Sequence, residues 1–149
     1  MTMHPGRRGF TAIEILTALV VIGVLAAISI PMWRTHLLRV RRAEARDALT
    51  SLQAAQDRYF GSHARYANAA QLAAREPDGL GLAASSAHGL YAITLETSAD
   101  GLGFLATARA LPRAGQDGDE RCAVFTIDHV GQMSAADASG TDRSADCWH

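Results

Sequence analysis

Nineteen consecutive residues without a formal charge, 15–33, constrain this chain more than any other feature. At 1.5 Å per residue a helix of that length covers about 28 Å, close to the hydrocarbon core of a bilayer. A run this long and oily does not belong on the outside of a small water-soluble domain. The chain therefore divides into an oily N-terminal helix and a separate polar part. Averages conceal the division: of 149 residues, 48% are apolar and 19% charged, with a formal net charge of −1. That apolar share excludes a disordered chain. A sequence pI near 6.6 excludes a generally basic nucleic-acid binder. No solenoid repeat is present, and two cysteines are too few for a disulfide-dense scaffold or a four-cysteine zinc module.

The flanks of the run say how it is used. A short, polar and basic stretch of nine residues precedes Phe10, with Pro5 and Gly6 opposing helix and Arg7 and Arg8 adding charge. No Ala-x-Ala site follows the run; Pro31, Met32, Trp33 and Arg34 do. The run is thus expected to stay on the mature protein rather than leave as a secretory signal. Arg7 and Arg8 favour a cytoplasmic N-side, a bias weakened by Arg34, Arg39 and Arg41 on the far side. Glu14 lies inside the oily segment. A carboxylate in hydrocarbon costs about 2.5–3.5 kcal/mol on insertion scales, so it needs a reason. Two readings stand. Thr11, Ala12, Ile13 and Glu14 fit the T-x-x-E capping box, and Glu14 equally fits a functional charge awaiting a partner.

Gly9, Phe10, Thr11, Ala12, Ile13, Glu14 and Ile15, followed by the run to Pro31, resemble the class III signal of type IV prepilins and related pseudopilins. The usual form is a short basic leader ending in Gly, then Phe-Thr-Leu-Ile-Glu-Leu; Ala12 and Ile15 depart from it and keep the segment apolar. The resemblance implies cleavage between Gly9 and Phe10 by a prepilin peptidase, which then N-methylates Phe10. It implies that Glu14 neutralises the new N-terminal amine, on a neighbouring subunit, as helices enter the filament core. A buried charge is tolerable only when paired. Pro31 lacks an N–H, so a kink is expected, and Gly23 is the other punctuation of the helix. The resemblance implies that pilin helices bend and loosen between two such positions.

Downstream, Leu38, Ala45, Leu49, Leu52, Ala55 and Tyr59 recur on one helical face, with Arg46, Thr50, Gln53 and Asp57 away from it. The helix is expected to continue to about residue 60, with Gly61 and Ser62 as its stop. Tyr91, Ile93 and Leu95 alternate with Ala92, Thr94 and Glu96, predicting a strand. Residues 104–111, 122–128 and 132–135 predict three more, with turns at 98–101 and 129–131. The connection 62–88 is long and holds one short helix around 69–75. The expected fold is α+β: a long N-terminal helix, its first half transmembrane, packed on a small antiparallel sheet. The layout is a leader at 1–9, a filament-core helix at 10–33 and a periplasmic domain at 34–149. That domain comprises an amphipathic helix half at 34–60, an αβ-loop at 61–89, a sheet at 90–135 and a C-terminal D-region at 122–147.

A mature part in an oxidising periplasm makes a Cys122–Cys147 disulfide the default. Together with the segment from Cys122 to Gly131 and Trp148, it resembles PilE/ComP-type minor pilins of Gram-negative bacteria. The implied function is a non-enzymatic subunit of a pilus or of its initiating complex. Its implied partners are the prepilin peptidase and N-methyltransferase, other major and minor pilins, the inner membrane and its assembly platform. The protein would be a single-pass inner-membrane precursor and then part of an extracellular pilus.

Other chemistries find less support. The histidines at 4, 36, 63, 88, 129 and 149 make no metal or catalytic spacing, and Gly79, Leu80 and Gly81 lack the lysine of a phosphate loop. No enzyme, cofactor or metal site is expected. Asp117, Gly118, Asp119 and Glu120 read as a solvated turn, with calcium as the minor alternative met in some pseudopilins. A DNA-uptake receptor is the sharper rival. Against it, residues 76–149 carry eleven carboxylates and only Arg109, Arg113, Arg121 and Arg143. The positive stretch 34–46 is expected to meet lipid headgroups or sister subunits. A type II secretion pseudopilin is the remaining alternative.

Overall fold

The computed structural model describes residues 11–148. It divides into two compact units after Leu37. One helix, α1 (Ala12–His63), supplies the described part of the first unit and the first element of the second. The second unit continues with β1 (Tyr91–Thr97), β2 (Phe104–Ala110), β3 (Val124–Asp128), β4 (Met133–Ala136) and a short α2 (Ser144–Cys147). The strands form one antiparallel meander in the order β1-β2-β3-β4. This is the expected α+β architecture.

The predicted helical face is buried: Ala45, Leu49, Leu52, Ala55 and Tyr59 join one core with the inner residues of the sheet, while Leu38 is half-buried. Across the sheet the inner row reads Ile93, Ala108, Phe125, Ala135, and the next reads Leu95, Ala106, Ile127. Large side chains alternate with alanines in register, which lets one layer interdigitate without voids. Tyr91 meets Phe125 edge-on at 5.9 Å, and Phe125 meets Trp148 at 5.8 Å. The opposite face carries Thr94, Thr107, Thr126 and Ser134 aligned across all four strands, hydroxyls that water can satisfy.

Two local expectations change. The helix does not stop at Gly61; it runs to His63 and ends where Ala64 turns left-handed at φ 54°, with its N–H on the Phe60 carbonyl at 2.9 Å. Ser62 extends the last turn by bonding the Tyr59 carbonyl at 3.1 Å, and His63 stacks on the Tyr59 ring at 3.9 Å. The short helix expected at 69–75 is a single 3-10 turn, Ala69–Gln71. Asn68 and Gln71 close a capping box around it. It cannot lengthen, because the carbonyls of Gln71, Leu72 and Ala74 accept instead from Leu80, Leu82 and Gly81. That return is tight enough that a Cβ at Gly79 would run into the Gln71 and Ala74 carbonyls. Among the polar residues of α1, Gln56 is fully buried. Its amide donates to the Ala67 carbonyl at 2.9 Å and accepts the Ala67 N–H at 2.8 Å, so a loop peptide inside the core is satisfied on both sides.

Candidate functional site

Two places carry the chemistry: the head of α1, and the turn of α1 where the sheet domain begins.

At the head, Glu14 and Thr11 form the capping box. The carboxylate accepts the Thr11 N–H at 3.0 Å and the Thr11 hydroxyl at 3.0 Å, and the same hydroxyl accepts the Glu14 N–H at 3.4 Å. Glu14 is exposed, so this bond is local and open to exchange for another partner. Around it every large side chain faces outward, including Ile13, Leu16, Leu19, Val20 and Ile22, each more than half exposed. An 18-residue window here has a mean hydropathy of 2.6 and none of it is buried within the chain. By length and composition this stretch is able to cross a membrane. α1 is helical throughout, Gly23 and Pro31 included, and a methyl added at Gly23 would meet nothing. Gly9 and Phe10, the expected cleavage and methylation positions, lie outside the described residues.

At the other place, three charged residues of α1 reach into the fold. Arg42 holds Asp119 in a bidentate pair, Nε to Oδ2 at 2.7 Å and Nη2 to Oδ1 at 2.8 Å, with 13% and 4% of the two side chains exposed. Glu44 accepts the backbone N–H of His88 at 2.7 Å and faces its Nδ1 at 3.2 Å. Burial pushes the Glu44 carboxyl up, but bonds from Ser86 and His88 outweigh it and hold it below the usual range. Arg46 donates to the Trp148 carbonyl at 3.0 Å. Beside this cluster the Tyr91 hydroxyl accepts from the buried Gln116 amide at 2.8 Å. Burial first, and then the Asp119 charge, push Tyr91 up to about 12. The stretch 34–46 is expected from the sequence to meet headgroups or sister subunits. Arg42 and Arg46 instead turn inward, while Arg34 and Arg39 remain exposed. The acidic turn at 117–120 is likewise not wholly solvated, since Asp119 points into the domain. Sequence reasoning missed Arg42 with Asp119 because 77 positions separate them.

The C-terminal segment is fastened nearby. Cys122 and Cys147 are bonded, with their Cα atoms 5.8 Å apart. Asp137 closes the loop between them, accepting from Ser139 and from the Thr141 N–H, contacts that hold its carboxyl at about 2. Among the described residues no three His, Cys, Asp or Glu side chains converge as metal ligands would. The histidines are spread: His63 lies on Tyr59, His88 by Glu44 and His129 beside Tyr66.

An outward-facing apolar helix, an acidic residue at its head, a four-strand meander and a disulfide-closed end agree with what the sequence resemblance implies. The family model described as "Type IV minor pilin ComP, DNA uptake sequence receptor" matches residues 31–126. This chain belongs to that family. Among curated relatives, the type IV major pilin protein PilA of Myxococcus xanthus (strain DK1622) is 38% identical over 65 residues, 44% of this chain. The match spans 30% of that relative's length. Two solved structures share the fold, each at a TM-score of 0.51 and 21% identity. One is a type IV pilin from Shewanella oneidensis, aligned over 75% of this chain and 98% of that one. The other is the Neisseria meningitidis non-core minor pilin PilV, aligned over 71% and 93%. As a type IV minor pilin, the chain has an apolar helix at its head and a four-strand sheet domain.

Proposed function

We propose that this pilin is a non-enzymatic structural subunit of a type IV pilus or of the complex that initiates one. It would be made as an inner-membrane precursor with its sheet domain in the periplasm. A prepilin peptidase would cleave between Gly9 and Phe10 and methylate Phe10, and an assembly platform would extract the subunit to stack beside other pilins. The observation that supports this most is the exposed apolar surface of the N-terminal half of α1 with Glu14 at its head. Exchanging lipid for sister helices gains little free energy, so register must come from a polar contact. In the precursor Glu14 is occupied by Thr11. Cleavage creates an amine one residue away from Thr11, and the exposed carboxylate is free to trade its local bond for that charge on a neighbour.

The test is Glu14→Ala. The protein should still insert and still lose residues 1–9 by mass, gaining one methyl group. Its incorporation into sheared filaments should fall at least about tenfold, the loss expected for one charge-assisted contact in a low-dielectric environment. Incorporation equal to the unaltered protein would remove Glu14 from assembly.

A second reading is favoured by the family's own description, a DNA uptake sequence receptor. In the sheet-bearing unit, Arg39, Arg65, Arg75, Arg109 and Arg113 are exposed and make no ion pair among the described residues. Arg42, Arg58, Arg121 and Arg143 are paired with carboxylates. If four of the free arginines met phosphates, log K should fall with log salt at a slope of about −3.6. A filter-binding titration of duplex DNA across salt would show it. A flat salt response, or no retention at low salt, would leave the structural role alone.

A further inference from the structure

We propose that Glu44 and Arg46, aided by Arg42, form a latch that keeps both edges of the sheet closed against pairing with a second copy of this chain. An edge strand presents unpaired N–H and C=O groups and is a template for another chain's strand. With the order β1-β2-β3-β4, the two edges are β1 and β4. Neither is bare. On β4, Ala135 donates its N–H to the Ser144 hydroxyl at 2.9 Å and accepts the Arg143 N–H at 2.8 Å, and Ala136 bridges Asp142. On β1, the Ile93 N–H goes to the Ala84 carbonyl at 2.9 Å, Tyr91 accepts from Ser86 at 2.9 Å, and Ser85 bridges Ala92.

Each cover is only a few bonds long, so each needs an anchor. The same turn of α1 supplies one for each, beside the Cys122–Cys147 bond on the β4 side. Arg46 holds Trp148 at the end of the β4 cover, and Arg42 holds Asp119 at the entry to the disulfide. Glu44 holds His88 at the end of the β1 cover. At about 100° per residue, positions 42 and 46 share one side of the helix and position 44 lies roughly opposite. The spacing matches the two sides of the sheet. The latch rests on the membrane-held reading in one respect: a shared membrane keeps copies crowded. Under that crowding an open β4 edge would meet its equal. Ala135 would offer the same donor and acceptor on both partners, across a two-fold axis, with only small uncharged neighbours in Ser134 and Ala136.

The test uses the full chain in detergent micelles and reads amide exchange residue by residue. Arg46→Ala should speed exchange at Ala135 and Arg143 by at least about tenfold while Ile93 and Ser86 keep their rates. Glu44→Ala should do the reverse. In both, Ala106 and Ala108 of β2 should stay as slow as in the unaltered protein. Uniform acceleration of all strands, or no change at the covered edge, would overturn the latch. Arg46→Ala should also raise the dimer fraction in micelles, and adding Met133→Lys, a charge on the half-exposed edge, should abolish it. A dimer indifferent to Met133→Lys would place the contact on α1 and refute edge pairing, while leaving the subunit reading intact.

Discussion

Arg42→Ala should destabilise the sheet domain by about 3–5 kcal/mol, because it strands a carboxylate that the fold has taken out of water. Asp119 is 4% exposed, and both of its oxygens are spent on the one guanidinium. The two halves of the pair should not be equivalent. Asp119→Ala leaves Arg42, 13% exposed on a long stem that can swing its head toward solvent, so its cost should be visibly smaller. Urea unfolding of the full chain in micelles, followed by near-ultraviolet dichroism, gives the comparison. Equal losses would mean that the pair acts only through packing. Changing both residues to apolar ones of similar volume should recover much of the loss, since a buried pair is worth little against a well-packed apolar substitute.

The second large effect concerns the staple. Cys122 and Cys147 are 25 positions apart, and closing such a loop in the unfolded chain is worth about 3.5 kcal/mol on the chain-entropy estimate. Replacing both by serine should lower stability by about that amount. Most of the damage should be local to residues 137–148, where the remaining contacts are exposed turns rather than core. The exception is Trp148, whose ring packs on Phe125 and whose carbonyl is held by Arg46. Limited proteolysis should therefore cut first near Ser139 and Gly140, which are exposed, and last at Trp148. Cleavage beginning within β1–β3 would contradict a locally acting staple.

The parts of the fold visible in the sequence are those set by periodicity. Leu49, Leu52, Ala55 and Tyr59 announce a buried helical face by spacing alone, and Tyr91, Ile93 and Leu95 announce a strand in the same way. Apolar burial repeats with the geometry of the element, so it can be read locally. Polar burial cannot. Gln56, Arg42 and Asp119 look like solvent residues because what buries each one is a partner from another segment: Ala67 for Gln56, and each other for the pair. The helix expected at 69–75 stops after one 3-10 turn for a related reason. Its own residues permit a helix, but residues 80–82 return to claim its carbonyls. The head of α1 is the converse case: Thr11 and Glu14 sit three apart, within one turn, and their capping box was legible from spacing.

Gln56 has one further implication. Its amide serves as both donor and acceptor toward a single backbone unit, at 2.9 and 2.8 Å, in a place closed to water. Glutamate would set two acceptors against each other, methionine would leave the Ala67 N–H unanswered and its carbonyl to the Thr97 hydroxyl alone, and asparagine is one methylene too short. The position therefore works as a spelling rule: a relative that writes another letter there must route the chain out of its long helix by a different path.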